Sequence, residues 1–520
     1  MYTFPTYLRN SLILIILFSL IYLTNVLLRN NDQKGKISSK AIEIISSNSR
    51  EEHFGKPGFI HTFYQHKVKI NSKEKIIYQE PKEYIPGEVI PYYSDILDNK
   101  FNRLINESVS LDRLQNHREC SDEWSELIDS QFMSLDKTES VYAFSAYLDE
   151  YLEESLFVIR VFIYKDTKDS RTIYGTFGNT TKVESYDLTR SRAGLHELNT
   201  YRPESWRGYL ATFSIDRESL DGRTPCVVGV SVGASPPIAL PIRRTKMKEK
   251  MYKNTLCIAP LYNVDRFSPS RILEYLTMLS RVGIERAVVY LGADVPWFWK
   301  EIFTNNYTSD IKVEFVKWYL PNPKIFRLGQ ELMTNECLFR EMASSKYLSF
   351  FDLDEMIVPA AKYDSVNSAL DDYFVRYPST DFACFYNVYY PTYFIGNKNQ
   401  TRNVYFMYEI RRKCDYLNDV ETKCIIRPER IRQMAVHEPI ASIHNFWPPK
   451  TLKGNENYAI CRHYTVPRIN YCNIFDENQI LKDKTIERFI NFSTISNIER
   501  KLGRISQIYS KYILQNSVIL

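Results

Sequence analysis

The chain has 520 residues, which is too many for one ordinary domain, so two domains are expected. Hydrophobic residues make up 44% and aromatic residues 14%, with 38 tyrosines against 17 glycines, which excludes a disordered or repetitive protein. The formal charge of +5, from 67 Lys and Arg against 62 Asp and Glu, is close to balance. It gives no reason to expect nucleic acid as a partner.

The first distinctive segment, LILIILFSLIYLTNVLL at residues 12–28, is apolar and without charge. Its 17 residues reach the lower limit for crossing a bilayer, and no small-residue cleavage site follows it. The segment therefore predicts an uncleaved transmembrane anchor, with a cleaved signal peptide as the alternative. Residues 1–11 would form a short cytoplasmic tail. The large remainder would lie in the lumen, as in a type II membrane protein.

Cysteines and glycosylation signals fit a lumenal location. All nine cysteines follow the apolar segment, and their odd number leaves one without an intramolecular partner. Cys414 with Cys424, and Cys461 with Cys472, are possible pairs on separation alone, although spacing does not determine connectivity. Acceptor sequences for N-glycosylation occur at five positions: Asn106, Asn179, Asn306, Asn399 and Asn491.

The composition changes twice along the lumenal part. Residues 29–95 are polar and irregular, which indicates a stem. Residues 96–250 contain short β-branched and aromatic runs between turn residues, and they predict a strand-rich N-terminal domain. Its runs include VYAFSAYLDE, LFVIRVFIYKD, RTIYGTFG and CVVGVSVG.

From residue 251 to 480, predicted strands alternate with predicted helices. TLCIAPLY (255–262), RAVVYLG (286–292), IKVEFVKWYLP (311–321) and YLSFF (347–351) are strands, and 270–283 and 329–347 are helices. This order predicts an α/β domain with a largely parallel sheet, in which ligands bind beyond the carboxyl ends of the strands. Residues 481–520 are predicted to form a C-terminal helical tail.

An acidic cluster follows the last of these strands. Asp352 and Asp354 would point to the same side, about 6.5–7 Å apart along an extended chain. Two carboxylates this close favour a cation between them, and oxygen ligands suit Mg²⁺ or Mn²⁺. An ordinary turn or helix N-terminus is the alternative.

Two phosphate chemistries use such a cluster: sugar transfer from a nucleotide sugar, and phosphatase chemistry on D-x-D-x-[TV]. The phosphatase pattern requires Thr or Val at the position of Met356 and usually opens its domain. At least three strands precede the cluster here, so sugar transfer is favoured.

Several blocks together resemble glycosyltransferase family 92. They are CIAPLY (257–262), GQELMTNECLFR (329–340), KYLSFFDLDEMIVP (346–359), KCIIRPERIRQMAVHEP (423–439) and CRHYTV (461–466). The resemblance implies a GT-A-like, Rossmann-type nucleotide-sugar domain in a type II Golgi membrane protein. It also implies a UDP-sugar donor, Mn²⁺ or Mg²⁺, and inversion at the anomeric carbon. Inversion by direct displacement requires a general base, which these blocks do not identify.

The resemblance also implies roles for single residues. Asp352 and Asp354 would bind metal and diphosphate, and Glu355 would orient them or position the sugar, with a turn carboxylate as its alternative. His437 and His463 would be further metal ligands or phosphate contacts, although a lone histidine is more often a surface or core residue.

Five more residues are predicted to contact the donor. Lys423 would neutralise the diphosphate, with a solvated strand edge as the alternative. Glu336 and Arg340 would contact the donor or form an ordinary i,i+4 ion pair. Pro260 and Tyr262 end the first strand, where a uracil base would stack, although Tyr262 also fits a plain core position.

The sequence therefore predicts a metal-dependent inverting glycosyltransferase that moves a hexose, most simply galactose, from a UDP-sugar to glycans on glycoproteins. Two alternatives stay open. One is a membrane-anchored lumenal carbohydrate-binding protein without activity, and the other is the D-x-D phosphatase.

Overall fold

The structure is a computed structural model, and part of the chain is described. The described residues are 65–70, 73–78, 131–151, 155–177, 181–187, 192–193, 195–198, 205–220, 222–247, 249–261, 269–292, 311–322, 325–390, 411–414, 418–443, 455–464, 480–483 and 489. The predicted tail, anchor and most of the predicted stem and C-terminal tail lie outside these residues. No helix in the described part is long and apolar enough to cross a membrane.

The chain divides into two compact units, Met1–Ile90 and Pro91–Leu520. The first unit contains an antiparallel hairpin of β1 (Gln65–Ile70) and β2 (Lys73–Tyr78). This hairpin lies inside the segment predicted as an irregular stem. The units divide between Ile90 and Pro91. The end of the stem at residue 95 stays a prediction.

The strand-rich part is an 11-stranded sheet, which confirms a β-rich stretch ahead of the α/β domain. Its strands are β3 (Met133–Ser134), β4 (Val141–Leu148), β5 (Leu156–Asp166), β6 (Ile173–Phe177), β7 (Thr181–Glu184), β8 (Tyr186–Asp187), β9 (Arg192–Ala193), β10 (His196–Glu197), β11 (Trp206–Asp216), β12 (Val227–Val232) and β13 (Ile238–Arg244). The order is β7-β6-β12-β13-β4-β5-β11-β8-β9, with β3 on β4 and β10 on β11.

The remaining described elements belong to the α/β part. The strands are β14 (Tyr252–Leu261), β15 (Arg286–Leu291), β16 (Lys312–Lys317), β17 (Ser345–Phe351), β18 (Glu355–Pro359), β19 (Phe382–Tyr389), β20 (Arg411–Cys414), β21 (Asn418–Ile426), β22 (Ile431–Met434), β23 (Pro439–Ser442), β24 (Ala459–His463) and β25 (Ile480–Asp483). The helices are α1 (Pro269–Val282), α2 (Gln330–Glu341) and α3 (Val366–Arg376).

Eight strands form the central sheet, in the order β16-β15-β14-β17-β21-β19-β24-β18. Strands β14 to β17 are parallel, as predicted, but β21 is inserted antiparallel between β17 and β19. The sheet is therefore mixed, and its parallel half carries the predicted alternation of strands and helices. Strand β25 pairs with β20 and crosses the boundary predicted at residue 480 between this domain and the C-terminal tail.

Local sequence explains the ends of the helices. Gly283 follows α1 at φ 105°, a conformation that costs glycine little, as its position in the sequence predicts. Ser365 caps α3, because its hydroxyl accepts a hydrogen bond from the backbone of Ser368 at 3.1 Å. Helix α2 ends at Glu341, six residues before the predicted end. Strand β17 correspondingly begins at Ser345, where the chain pairs with β14.

The two sheets share a hydrophobic core through α2. Buried aromatic residues of β4, β5 and β11 pack in one cluster with residues of α2 and the central sheet. Gly208 in β11 lies so close to α2 that an added Cβ would be 2.8 Å from the Cβ of Leu332. The strand-rich sheet is therefore packed against the helix that leads into the site.

Disulfides brace the central sheet. Cys257 in β14 is bridged to Cys337 in α2, and Cys384 in β19 is bridged to Cys424 in β21. The possible pairing of Cys424 with Cys414 is therefore wrong, because the register of β19 and β21 places Cys384 directly opposite it. Cys461 is a buried free thiol, so its possible pairing with Cys472 is wrong as well.

Candidate active site

The acidic cluster forms a closed turn between β17 and β18. The backbone N–H of Glu355 donates to the carbonyl of Asp352 at 3.0 Å, and the N–H of Asp352 donates to Glu355 Oε2 at 3.1 Å. Asp is favoured at the first position of such turns. The side chains of Asp352 and Asp354 are 33% and 28% exposed, whereas that of Glu355 is 2% exposed. The two aspartates can therefore contact a ligand. Glu355 is buried, and it stabilises the turn by accepting the hydrogen bond from Asp352.

Lys423 neutralises this turn from the neighbouring strand. Its Nζ lies 3.2 Å from Asp352 Oδ2 and 2.7 Å from Glu355 Oε2, and its side chain is 1% exposed. Burial opposes the charged form, but the two carboxylates outweigh it and raise the pKa of Lys423. The same pairing lowers the pKa of Asp352 against its own burial, while burial raises the pKa of Glu355 despite Lys423. Asp352 is therefore held ionised.

His463 lies on the other side of the turn. The register of β18 and β24 places it opposite Glu355, and its Nε2 is 3.6 Å from Asp354 Oδ2. The side-chain amide of Asn387 lies 3.2 Å from His463 Nδ1 and orients the ring, so that Nε2 faces Asp354. Burial lowers the pKa of His463, but the hydrogen bond to Asp354 and the nearby Glu355 charge raise it overall.

The N-terminus of α2 meets Asp352 from the opposite direction. Gln330 Nε2 donates to Asp352 Oδ1 at 3.1 Å. The preceding residues Arg327, Leu328 and Gly329 all have left-handed backbone conformations, with φ of 48°, 50° and 71°. The indole N–H of Trp318 donates to the carbonyl of Leu328 at 2.8 Å and fixes this turn. Such backbone strain clusters at functional sites.

His437 is close enough to Lys423 and Asp352 for their charges to interact. Burial lowers its pKa to about 4, and the Lys423 charge adds to this effect. Its Nδ1 lies 3.3 Å from the carbonyl of Thr422, so the proton of the neutral ring is assigned to Nδ1. A histidine that stays neutral at pH 7 is in the form that binds metals.

The other predicted donor contacts lie elsewhere. Glu336 is fully buried, and its carboxylate accepts hydrogen bonds from Tyr147 of β4, Tyr290 of β15 and Arg340. The Glu336–Arg340 ion pair at 2.8 Å is the i,i+4 alternative considered for these residues, and no described contact links either of them to the acidic turn. Pro260 is buried in β14, and Tyr262 lies outside the described residues.

Four polar residues of the site were not singled out from the sequence: Gln330, Asn387, Tyr389 and Glu421. Gln330 belongs to the quoted GQ block, which was the available signal. Asn387 and Tyr389 come from β19 and Glu421 from β21. No sequence block marks them, because their placement depends on pairing between distant strands.

The comparison with known proteins identifies the family of this part of the chain. Residues 252–505, which include the acidic turn, Lys423, His437 and His463, match the sequence family described as glycosyltransferase family 92. Residues 252–505 belong to glycosyltransferase family 92. This confirms the resemblance drawn from the sequence blocks and makes the chain a glycosyltransferase.

One curated relative of this family 92 chain is the beta-1,4-galactosyltransferase galt-1 of Caenorhabditis elegans. It is 22% identical over 379 residues, which cover 68% of this chain and 79% of the relative. Among solved structures, S. aureus TarS 1–349 in complex with UDP is 12% identical, with a TM-score of 0.20 over 34% of this chain and 47% of TarS. HddC from Yersinia pseudotuberculosis is 12% identical, with a TM-score of 0.22 over 46% of this chain and all of HddC. These TM-scores are too low to contribute to the interpretation.

The donor set of the family 92 domain fits a divalent ion that shares its ligands with a substrate. Among the described residues, no group of three or more His, Cys, Asp or Glu is arranged to hold a metal alone. Mg²⁺, however, is commonly bound by one or two carboxylates together with substrate phosphates. Asp354 and His463 are partly exposed and face each other at 3.6 Å, whereas Asp352 is already paired with Lys423. Asp354 and His463 are therefore the residues that would hold such an ion.

Proposed function

We propose that this glycosyltransferase transfers a hexose from a UDP-sugar to a glycan of a glycoprotein, with inversion and with Mn²⁺ or Mg²⁺ as cofactor. The observation that carries the proposal is the pair of partly exposed aspartates above buried Lys423, at the carboxyl end of β17. In α/β sheets this edge is where ligands bind. Galactose is proposed as the hexose because the C. elegans relative is named a galactosyltransferase.

Each residue of the site would have a different role in the transfer reaction. Lys423 keeps Asp352 ionised and seals the base of the site, and Gln330 fixes the Asp352 carboxylate in one orientation. Asp354 and His463 would hold the ion, whose Lewis acidity would offset charge on a departing diphosphate. Asn387 fixes the ring of His463, so that its Nε2 faces Asp354.

We further propose that the chain works as a type II membrane protein of the Golgi, with residues 12–28 as its anchor and its acceptors in the lumen. The apolar segment supports this placement, as do the acceptor sequences for N-glycosylation.

The test is a transfer assay with the full-length chain, UDP-galactose, Mn²⁺ and a panel of glycan acceptors. We expect UDP release and a gain of one hexose mass on an acceptor, both lost when EDTA removes the metal. Asp354→Asn should lower kcat/KM by about 100-fold or more. Asp364→Asn, a change at an exposed acid ten residues away, should leave it unchanged.

Other results would contradict this proposal in distinct ways. Glycan binding without turnover would favour the non-catalytic carbohydrate-binding protein, and phosphate release from a phosphomonoester would favour the phosphatase. Turnover of another UDP-hexose would replace galactose without changing the reaction class.

A further inference from the structure

Strand β21 brings a second acidic residue to the site because it runs antiparallel to β17. Leu348 pairs with Ile426, and Ser349 pairs with Ile425. When this register is continued, Glu421 lies beyond the last residue of β17, beside the acidic turn. The beginning of β21 thus lies at the same edge of the sheet as the end of β17.

The side chain of Glu421 lies close to His463. Its carboxylate is hydrogen-bonded to Tyr389, and the ring centroid of Tyr389 is 5.4 Å from that of His463. His463 in turn faces Asp354 of the acidic turn. Glu421 is also half-buried, so a ligand above the sheet can reach it.

Two neighbours on β19 hold Glu421 in place. The hydroxyl of Tyr389, whose side chain is buried, donates to Glu421 Oε2 at 2.5 Å. The side-chain amide of Asn387 donates to the carbonyl of Glu421 at 3.1 Å and also contacts His463 Nδ1. One amide therefore fixes the position of Glu421 relative to His463, which faces Asp354.

The other described carboxylates of the site are already engaged with neighbouring side chains or buried. Asp352 is paired with Lys423 and bonded to Gln330, and Glu355 is sealed beneath the turn. Asp354 faces His463. We therefore propose that Glu421 is the general base of the transfer reaction, an assignment that rests on the proposed function.

The step balances without any further reactant. The acceptor hydroxyl gives its proton to the Glu421 carboxylate while its oxygen forms a bond to the anomeric carbon. The bond from that carbon to the diphosphate oxygen breaks, and its electron pair leaves with UDP. Tyr389 is a positioning residue in this scheme, since it acts by orienting the carboxylate.

The test compares full-length Glu421→Gln with wild type on the acceptor that gains mass in the transfer assay. We expect kcat to fall by about 100-fold or more, in the range of a lost general base. The Kd for UDP alone and the Tm should stay close to the wild-type values, because the amide oxygen still accepts the Tyr389 hydrogen bond. Glu421→Asp keeps a carboxylate and should recover part of kcat. Glu456→Gln, at an exposed glutamate outside the site, is the matched control.

The assignment fails if Glu421→Gln keeps more than a third of kcat, or if UDP binding weakens in parallel with kcat. Should Glu421→Gln not fold, Tyr389→Phe decides instead. It should lower kcat several-fold at unchanged Kd for UDP, and an unchanged kcat would overturn the assignment. A wild-type chain that turns over no UDP-sugar would show instead that the proposed function itself is wrong.

Discussion

At the scale of single residues, the site depends on one buried lysine. Lys423 compensates a fully buried glutamate and a partly exposed aspartate, and its own side chain is almost inaccessible. Removing one partner of a buried ion pair is costly, because it leaves the remaining charge uncompensated in a medium of low polarity. The stability and the charge of the site are therefore linked through this residue.

Lys423→Met tests that link. We expect the free energy of unfolding to fall by about 3–5 kcal/mol, because Glu355 would be left buried without a countercharge. Urea unfolding measures the change, and Lys362→Met is the control at an exposed lysine. Adding Glu355→Gln to Lys423→Met should recover part of the loss. A loss below about 1 kcal/mol in the single variant would contradict this account.

His437 gives the stability a predictable dependence on pH. Its folded pKa of about 4 lies below the ordinary value of about 6.5. Between these values the unfolded chain binds the additional proton, so the free energy of unfolding should fall as pH drops from about 6.5 to about 4. His437→Gln should flatten this slope, as measured by urea unfolding with EDTA present. An unchanged slope in the variant would assign the effect to other groups.

Sequence reasoning singled out the charged residues of the recognisable blocks, but not Glu421 or the neutral partners. Asp352, Asp354, Glu355, Lys423 and His463 were predicted and lie together, because each belongs to a recognisable block. Asn387 and Tyr389 belong to no recognisable block. Their hydrogen bonds depend on how distant strands pair, and a single sequence does not show that pairing.

Glu336 and Arg340 illustrate the opposite difficulty. Their spacing allowed either a donor contact or an ion pair. Tyr147, which donates to Glu336, lies 189 residues earlier in the chain. Only the packing of the strand-rich sheet against α2 brings the two together, and no local pattern indicates it.

At the scale of elements, the alternation of strands and helices from residue 252 to 351 was predictable because it depends on local periodicity. Strand β17 is buried except at Lys346. Its apolar run predicted the strand, and the first aspartate predicted where it ends. The insertion of β21 between β17 and β19 was not predictable. Pairing between distant strands depends on tertiary contacts, and the sequence blocks suggested a largely parallel sheet instead.

The left-handed turn before α2 is an element whose cost can be measured. Gly329 has φ 71°, and an added Cβ would find its nearest neighbours at 3.5–3.6 Å, which is ordinary contact. The penalty of Gly329→Ala should therefore come from the backbone alone, about 1–2 kcal/mol. Thermal unfolding measures it, with Gly222→Ala as the control, since φ there is 70° and the space is open. The two changes should cost similar amounts, and a much larger cost at Gly329 would indicate packing strain.

At the scale of the whole molecule, the strand-rich sheet is packed against the family 92 domain, which begins after it in the chain. The fully buried Glu336 in α2 receives hydrogen bonds from Tyr147 and Ser145 of β4, and from Tyr290 of β15. When a buried carboxylate loses such donors, its desolvation is no longer compensated, and the free energy of unfolding falls. The chain from residue 91 onward should therefore behave as one cooperative unit, although its described part contains two large sheets.

This expectation is tested by a fragment and a point variant. A fragment of residues 252–520 should fail to unfold cooperatively in calorimetry, because it lacks the donors of β4 and the packing of Gly208 on Leu332. Tyr147→Phe in the full chain should lower the free energy of unfolding by about 1–3 kcal/mol. Tyr174→Phe, at a half-buried tyrosine of β6, is the control. A fragment that unfolds cooperatively would show that the two sheets are independent.

The bridge between Cys384 and Cys424 has a consequence for how this family can vary. It tethers both ends of a segment 40 residues long, and Lys423 is adjacent to one of those ends. Insertions or deletions at residues 391–410, inside this segment, would leave the covalent link between β19 and β21 in place, so Lys423 would keep its position. That part of the chain can therefore vary in length, because the cost of closing a longer loop grows only slowly with its size.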